Sequence, residues 1–446
     1  MTDLEMAYAA LAGKKARYDK LFNYFDGDHP LVYNRERLRD IFKDMDAKFT
    51  QNWCAVVVDS ILERLNIMQF VINKDDATTD ALNMLWTSTE MNLDADDAHL
   101  AALVTGEAYI VAWKEDGQPA EAFYNDPRAC HLFYAPDNPR RKRFACKWWV
   151  GEDLHRYLTL YYPDRLEYYR TRNDTKNADV QSAAAFEPAE IPYAENPYGE
   201  IPVFHLRRER RGIKSELTNV IEMQDAINKL LSDMMVAAEF GAFKQRWAIS
   251  QVDIRGKLQN APNEIWALPA GDGEGQQTQV GEFDATDLTN YLKAIEQMVN
   301  SVAVISRTPK HYFLTQGGDP SGEALIAMEA PLNKKAEKYI ERFASTWRQV
   351  ARFLLKLEGV EVDTADITAG FDRPQTVQPM TLAMLRKANV EAGLPLLTQL
   401  RDEGWTQQEI DDMLDDKNTE QDAATTGIGA ALLNQQTAFD RGGGNG

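Results

Sequence analysis

Apolar residues recur at steps of three and four over residues 332–357. The positions that form this pattern are Leu332, Ala336, Ile340, Phe343, Trp347, Val350, Leu354 and Leu357. Such spacing places the apolar side chains on one face of an α-helix, which is then buried. The basic residues of the segment, which fall largely off this face, are Lys334, Lys335, Lys338, Arg342 and Arg352. The pattern predicts a long helix with an apolar face and a basic flank.

A polar stretch with two glycines, residues 314–320, precedes this helix. Glycine allows backbone conformations that other residues avoid, so we expect a flexible loop there. Asp319 or Ser321 can cap the helix, because a short side-chain oxygen accepts a free N–H of the first turn. Pro331 lacks a backbone N–H and interrupts the apolar pattern, which predicts a kink near that residue.

Two further long helices are predicted on either side of a mixed segment. The first begins at Ser215 and extends to about residue 243, and the second covers residues 284–305. Their regularly spaced positions are Leu217, Val220, Ile221, Gln224, Ile227, Leu231, Met234 and Ala238 in the first, and Leu288, Leu292, Ile295, Val299 and Val302 in the second. Between them we expect strands at 247–249 and 264–268, a helix at 253–258 and a glycine-rich loop at 269–275.

The N-terminal part of the chain changes from helical to β-rich patterns near Gly106. Helices are predicted through about residue 70 and over 77–92 and 94–105. Short strands are predicted at 106–113, 120–124, 143–150, 157–162, 166–169 and 201–204, with a surface loop over 173–190. Further helices are expected at 381–392 and 407–414. The fold class is therefore α+β, mainly α, with an antiparallel sheet in the N-terminal part.

Composition and charge narrow the classes of function. A chain of 446 residues with 44% hydrophobic residues is globular and long enough for two or more structural units. Its net charge of −20 argues against a general nucleic-acid binder, which carries a basic surface. The most basic run comprises Arg207, Arg208, Arg210, Arg211 and Lys214. That run fits a DNA contact, a subunit contact or a solvated face.

Recognisable catalytic and cofactor motifs are lacking in the sequence. There is no phosphate-binding loop, and the glycines at 271–275 do not join a strand to a helix. Cys130-His131 with Cys146 lacks the paired spacing of a zinc site. The three cysteines, the N-terminus and the hydropathy predict an intracellular, soluble protein without a disulfide framework or membrane helix. We therefore expect no enzyme, no metal and no cofactor.

Several short motifs follow one another in an order that carries a resemblance. They are Asn-Trp-Cys-Ala-Val-Val-Val-Asp at 52–59, Asp-Pro-Arg at 126–128, Asn-Pro-Tyr-Gly-Glu-Ile-Pro-Val at 196–203, Gln-Asp-Ala-Ile-Asn at 224–228 and Ser-Gly-Glu-Ala at 321–324. Each motif alone could occur by chance. In this order, around the long helices, they resemble the portal proteins of tailed bacteriophages, and in particular the SPP1-type portal family. The resemblance extends over residues 52–414.

The resemblance implies a portal fold with named subdomains. In this chain they correspond to a wing at 1–213, a first stem helix at 214–243, a small α/β clip at 244–284 and a second stem helix at 285–308. A channel loop and long kinked helix follow at 309–358, then small crown-like helices at 359–424. The glycine-rich residues 425–446 are expected to be a disordered tail.

The resemblance also implies function and partners. Portals form a homo-oligomeric ring, normally a dodecamer, at one capsid vertex, and double-stranded DNA passes through it during packaging and ejection. The expected partners are the large terminase subunit, the major capsid and scaffolding proteins, and a head-completion or adaptor protein. The expected location is the virion, and the host cytoplasm during assembly. The alternatives are another ring-forming connector or adaptor, and a soluble acidic enzyme.

The candidate functional residues belong to three groups. The loop that is expected to enter the channel comprises Leu314, Thr315, Gln316, Gly317, Gly318, Asp319 and Pro320. The basic residues expected on the channel helix are Lys334, Lys335 and Lys338. The third group is the basic run Arg207, Arg208, Arg210, Arg211 and Lys214. An acidic bore would repel phosphates, while a few lysines would form weak, non-specific contacts with DNA.

Overall fold

A computed structural model describes residues 1–30, 50–73, 75–175, 180–242, 246–249, 279–282, 287–313, 321–374, 379–402, 405 and 410–421. The chain divides into two compact units. The first unit comprises Met1–Glu63, Asp96–Val111 and Phe123–Lys335, and the second comprises Arg64–Ala95, Ala112–Ala122 and Ala336–Gly446.

The fold is mixed α+β, with about half of it helical and several antiparallel sheets. The helices are α1 Asp3–Asp26, α2 Trp53–Leu62, α3 Asp76–Ser88, α4 Met91–Thr105, α5 Ile221–Ala242, α6 Thr289–Ser306, α7 Gly322–Leu357, α8 Pro379–Glu391, α9 Leu396–Asp402 and α10, residues 410–421. The strands are β1 Ile67–Ile72, β2 Glu107–Trp113, β3 Glu121–Asn125, β4 Cys130–Ala135, β5 Asn138–Val150, β6 Arg156–Tyr161, β7 Arg165–Thr171, β8 Phe186–Glu195, β9 Val203–Arg207, β10 Arg246–Ile249, β11 Gln279–Glu282 and β12 Ile367–Phe371.

The first unit begins with α1, which carries a capping box. The Thr2 hydroxyl accepts from the Glu5 backbone N–H at 3.2 Å, and the Glu5 carboxylate accepts from the Thr2 N–H at 2.8 Å. Gly27 ends the helix with a φ of 81°, a left-handed conformation that favours glycine. The face of α1 that contains Ala7 and Leu11 packs on one side of the main sheet.

The main sheet contains five strands in the order β4-β5-β6-β7-β8, and every neighbouring pair is antiparallel. Phe144, Leu158 and Leu160 form its core with α1. A smaller sheet has the order β3-β2-β9, in which β2 and β9 are antiparallel. Tyr109 and Val203 of the smaller sheet pack against residues of β4 and β5.

The predicted strands are confirmed in β2, β3, β5, β6 and β7, and the strand expected at 201–204 is β9, shifted toward its C-terminal side. The loop prediction over 173–190 is wrong for its last residues, because Phe186–Glu195 forms β8. β8 lies at the edge of the sheet and is mostly exposed on both faces, so its sequence lacks an alternating pattern. Pro188 and Pro192 also argue against a strand when the sequence is considered alone, although an edge strand tolerates proline. β4 was not predicted either.

Two helices of the first unit, α5 and α6, pack against each other. Ser215 caps a 3-10 turn, Glu216–Asn219, through a 2.9 Å hydrogen bond from the Leu217 N–H, so α5 itself begins later than predicted. Ile227, Ile295, Val299 and Val302 are buried as expected, whereas Leu292 is 55% exposed. Between the helices, β10 confirms the predicted strand at 247–249 and pairs with β11. The elements expected at 253–258 and 264–268 lie outside the described residues.

Helix α7 is a single helix of 36 residues that contains Pro331. At 1.5 Å per residue it is about 54 Å long. The Ser321 hydroxyl accepts from the Ala324 N–H at 3.3 Å, which confirms one of the two predicted caps. All the predicted apolar positions are buried except Ile340, which is half-buried. The helix assignment continues through Pro331, and the kink there stays a prediction.

The second unit contains an antiparallel pair, β1 and β12, that was not predicted. Side chains of α3 cover the outer edge of β1: Asn83 bonds both the N–H and the C=O of Phe70 at 2.8 Å, and Thr79 accepts from the Ile72 N–H at 2.9 Å. Trp86 of α3 lies edge-on between Phe70 and Trp347, with ring centroids 4.9 and 5.3 Å apart. All three rings are buried.

The C-terminal helices agree with the prediction in part. Helix α8 matches the expected helix at 381–392, and α10 overlaps the one expected at 407–414 but extends to residue 421. Helix α9 was not predicted. Residues 31–49 of the predicted N-terminal helices and the tail at 425–446 lie outside the described residues.

Candidate functional site

The basic run after β9 does not form a uniform surface. Arg208 is only 8% exposed, and its guanidinium donates to Lys214 O at 2.7 Å, to Glu216 at 2.7 Å and to Glu209 at 3.0 Å. These bonds close the turn between β9 and the 3-10 turn at Glu216. Arg207 lies over the ring of Tyr134, 5.2 Å from its centroid. The exposed members of the run are Arg210, Arg211 and Lys214.

The three lysines predicted on α7 differ in the same way. Lys335 is largely buried, and its ammonium donates to the Glu216 carboxylate and to Ser306 O, the latter at 2.7 Å. The contact therefore joins α7 to the last residue of α6 and to the turn before α5. Burial lowers the pKa of Lys335, and the charge of Glu216 opposes that effect. Lys334 and Lys338 are exposed.

The expected channel loop, Leu314, Thr315, Gln316, Gly317, Gly318, Asp319 and Pro320, lies outside the described residues. The chain enters it after a 3-10 turn, Lys310–Tyr312, and leaves it at Ser321, the cap of α7. In the sequence, these residues directly precede the helix that carries Lys334 and Lys338.

A buried polar network around Glu107 was not predicted. The Glu107 side chain is 2% exposed, and its carboxylate accepts from four donors on α1, β2 and β9. These donors and their distances are Tyr18 Oη at 2.7 Å, Tyr109 Oη at 2.9 Å, His205 Nε2 at 3.0 Å and Lys14 Nζ at 3.3 Å. The network attaches α1 to the sheets. A glutamate within the apolar strand at 107–113 is the one signal in the sequence that could have revealed it.

The protonation states in this network follow from its donors and acceptors. Lys14 Nζ also donates to Cys130 O at 2.7 Å and lies 3.3 Å from His131 Nδ1. An ammonium only donates, so Nδ1 accepts and His131 carries its proton on Nε2. His205 donates through Nε2 to Glu107, and its Nδ1 lies 3.3 Å from the Tyr134 hydroxyl. His131 is thus assigned as neutral from its partners.

These environments shift the pKa values of the buried groups. Burial, and then the charge of Lys14, lowers the pKa of His131 to about 3, and burial lowers that of His205. Burial alone would raise the pKa of Glu107. The hydrogen bond from His205, the charge of Lys14 and the other donors outweigh it and hold the pKa of the carboxyl well below its usual range.

We expect the first unit to lose stability when the pH falls from 7 to 5. A histidine whose pKa is lowered in the folded state binds its proton more readily when unfolded, so acid favours unfolding below about 6.5, the ordinary histidine value. His131 adds a slope of up to about 1.4 kcal/mol per pH unit between that value and its folded pKa. Urea unfolding at pH 7, 6 and 5 measures the effect. His131→Gln should flatten the pH dependence, and equal slopes for both proteins would contradict this assignment.

Metal and membrane sites are not evident in the described part of the chain. Cys130 and Cys146 are buried on adjacent strands, and burial raises the pKa of both thiols. No group of three or more His, Cys, Asp or Glu side chains among the described residues is placed to hold a metal ion. None of the described helices is long and apolar enough to cross a membrane.

Comparison with known proteins identifies the class. A family described as phage portal protein, SPP1 Gp6-like, matches residues 8–423. The portal protein of Mycobacterium phage D29 is 23% identical over 408 residues, which cover 83% of this chain and 79% of the relative. The portal protein of Mycobacterium phage L5 is 24% identical over 405 residues, with the same two coverages. Because the family match covers most of the chain, the chain belongs to the SPP1 Gp6-like phage portal protein family.

Membership in this family confirms the resemblance that the sequence motifs carried. Portal proteins are non-enzymatic structural proteins, so the enzyme alternative is wrong, and so is the alternative of a different connector or adaptor. The family implies a homo-oligomeric ring that interacts with DNA and with other virion proteins.

Proposed function

We propose that this chain forms the ring at the unique capsid vertex and that double-stranded DNA passes through the ring during packaging and ejection. The observation that carries the proposal is the portal-family match over residues 8–423. The order of elements agrees with it: α5, the β10–β11 pair and α6 follow one another as a helix, an insertion and a helix. This order supports the stem–clip–stem boundaries 214–243, 244–284 and 285–308.

The remaining subdomains and partners belong to the same proposal. Residues 1–213 form the wing, 309–358 the channel loop and channel helix, and 359–424 the crown. The ring, a dodecamer, docks the large terminase subunit, a head-completion or adaptor protein, and the major capsid and scaffolding proteins. Native mass spectrometry with negative-stain imaging of the purified protein tests assembly. A closed ring with a central hole is expected, and a monomer that resists assembly with capsid and scaffolding proteins would contradict the proposal.

The mechanism that we propose for the channel is electrostatic. Each copy carries a net charge of −20, so a ring of many copies repels phosphates and keeps DNA centred and mobile. Lys334 and Lys338, which are exposed on α7, form weak contacts with the DNA backbone. Lys335 serves a different purpose, because it is held by Glu216 and Ser306 within one subunit. The loop at 314–320 projects into the bore.

Replacing both Lys334 and Lys338 with alanine is expected to reduce retention of packaged DNA. Each lost phosphate contact should also lower the salt dependence of DNA binding by the ring, by about one in the slope of log K against log salt. The measurement is the amount of protected genome in virions assembled with the variant, together with DNA binding at several salt concentrations. Lys387→Ala is the matched control, since that side chain is 79% exposed on α8. Unchanged packaging and retention in the double variant would show that these lysines do not contact DNA.

A further inference from the structure

The first unit contains a cavity of about 300 Å³. Its lining residues belong neither to the network around Glu107 nor to the contacts of Lys335. Residues of α1, of the turn between β3 and β4, and of the adjoining ends of β5 and β6 line it. Its walls contain three basic side chains, two aspartates and two tryptophans. A pocket of this size lies at the lower end of the range for ligand sites and is large enough for a side chain.

Both aspartates in this cavity form ion pairs with one arginine, Arg128. The Arg128 guanidinium donates to both oxygens of Asp126, at distances between 2.6 and 3.0 Å, and to Asp19 at 3.0 Å. Two carboxylates therefore surround a single guanidinium. The side of the cavity formed by Asp19 and Asp126 repels further negative charge, so a dianionic phosphate or a nucleic-acid backbone is disfavoured.

Arg156, at the other side of the cavity, is different. The residue is only 8% exposed, and its guanidinium lies over the Trp148 ring, 4.9 Å from the centroid. Its Nε is buried and has no hydrogen-bond partner among the residues that the structure describes. A buried charged donor without a partner is costly, because the group has lost its water and gained no acceptor. Arg156 is therefore the group in this cavity that calls for an acceptor.

The chemistry of the missing acceptor follows from these surroundings. A guanidinium offers a planar pair of donors that matches a carboxylate, and a single negative charge complements Arg156 without opposing the two aspartates strongly. Trp148, whose ring lies beneath the Arg156 guanidinium, forms an apolar part of the cavity wall. An Asp or Glu side chain on another polypeptide fits this description.

We propose that the cavity receives an Asp or Glu side chain of a second copy of this chain and that Arg156 pairs with its carboxylate. Charge complementarity supports this occupant, since each copy carries 69 acidic against 49 basic residues and so presents carboxylates over much of its surface. The inference rests on the proposed ring, which brings copies into contact. The pair is a subunit contact that the isolated chain leaves incomplete.

Substitution of Arg156 in the full chain tests the pairing. Arg156→Gln should raise the protein concentration at half-assembly by at least about ten-fold, the size expected when a buried charge pair at an interface loses one partner. Arg156→Lys, which retains the charge without the planar fork, should lie between it and the wild type. Arg140→Gln, at an exposed position of β5, should assemble like the wild type. Analytical ultracentrifugation and native mass spectrometry give these concentrations.

A second measurement covers the case in which Arg156→Gln disturbs folding. A photo-cross-linking phenylalanine is introduced at Val150, which lines the cavity and pairs with Arg156 across the two strands, and heavy-isotope and unlabelled copies are mixed before assembly. Cross-links between unlike copies, mapped to a peptide with an Asp or Glu, support the proposal. Rings that form normally with Arg156→Gln, or cross-links confined to one copy, overturn it and leave the proposed function intact. Wild-type protein without self-association or intercopy cross-links overturns both.

Discussion

Replacing Glu107 with alanine is expected to lower the free energy of unfolding of the first unit by about 3–5 kcal/mol, the range for a buried ion pair that loses one partner. The substitution leaves the Lys14 ammonium buried without a counter-charge. It also removes the acceptor of the Tyr18 and Tyr109 hydroxyls and of His205. Each of these donors then carries the cost of an unmade hydrogen bond.

Urea unfolding of Glu107→Ala, followed by circular dichroism and tryptophan fluorescence, measures this loss. Glu195→Ala is the matched control, because Glu195 is exposed on the edge strand β8, and its effect should stay within about 0.5 kcal/mol. Lys14→Met combined with Glu107→Ala should be less destabilised than the sum of the single variants, since the uncompensated charge is then absent. A loss below about 1 kcal/mol in Glu107→Ala would mean that water replaces the carboxylate readily.

Replacing Glu216 with alanine is the second change with a large expected effect. Glu216 has a side chain only 4% exposed and accepts from Arg208 on one oxygen and Lys335 on the other. Its removal leaves two buried cations facing each other, so we expect a loss of about 3–5 kcal/mol in the stability of the first unit. Lys335→Ala should cost less, since Arg208 still neutralises Glu216.

Thermal and urea unfolding compare Glu216→Ala, Lys335→Ala and Lys338→Ala. Lys338 is exposed on the same helix, and its substitution should change stability by no more than about 0.5 kcal/mol. If Lys335→Ala were as benign as Lys338→Ala, the contact with Glu216 would not hold α7 in place. The same comparison decides whether Lys335 should be left unchanged in experiments on DNA binding. A variant that lacks all three lysines would combine lost DNA contacts with a weakened subunit.

Much of the helical architecture could be predicted because it depends on local spacing. The apolar positions from Leu332 to Leu357 repeat with the period of the helix, and burial of that face requires only that some partner be present. The strands at β2 and β5–β7 were likewise predictable, since β-branched and aromatic residues are concentrated there. The motif order also indicated the portal family, which the match over residues 8–423 confirmed.

The pairing of distant segments was not predictable. β1 and β12 are short and join residues about three hundred positions apart, as in the pair Ile67 and Phe371. Neither strand has a pattern that stands out in its neighbourhood, and the partner of each strand lies in a distant part of the chain. The Glu107 network could not be predicted for the same reason, since its donors lie on α1, β2 and β9.

The sequence by itself determined the helices, the α+β class and the portal family, because these depend on periodicity and on the order of motifs. Only the tertiary structure decided what each charged residue does. Lys334, Lys335 and Lys338 belong to one basic flank, yet Lys335 pairs with Glu216, 119 residues away in the chain, while the other two are exposed. Arg208 and Arg210 differ in the same way. The physical reason is that a charge is buried or exposed according to the groups that folding brings beside it, and local spacing carries no information about those groups.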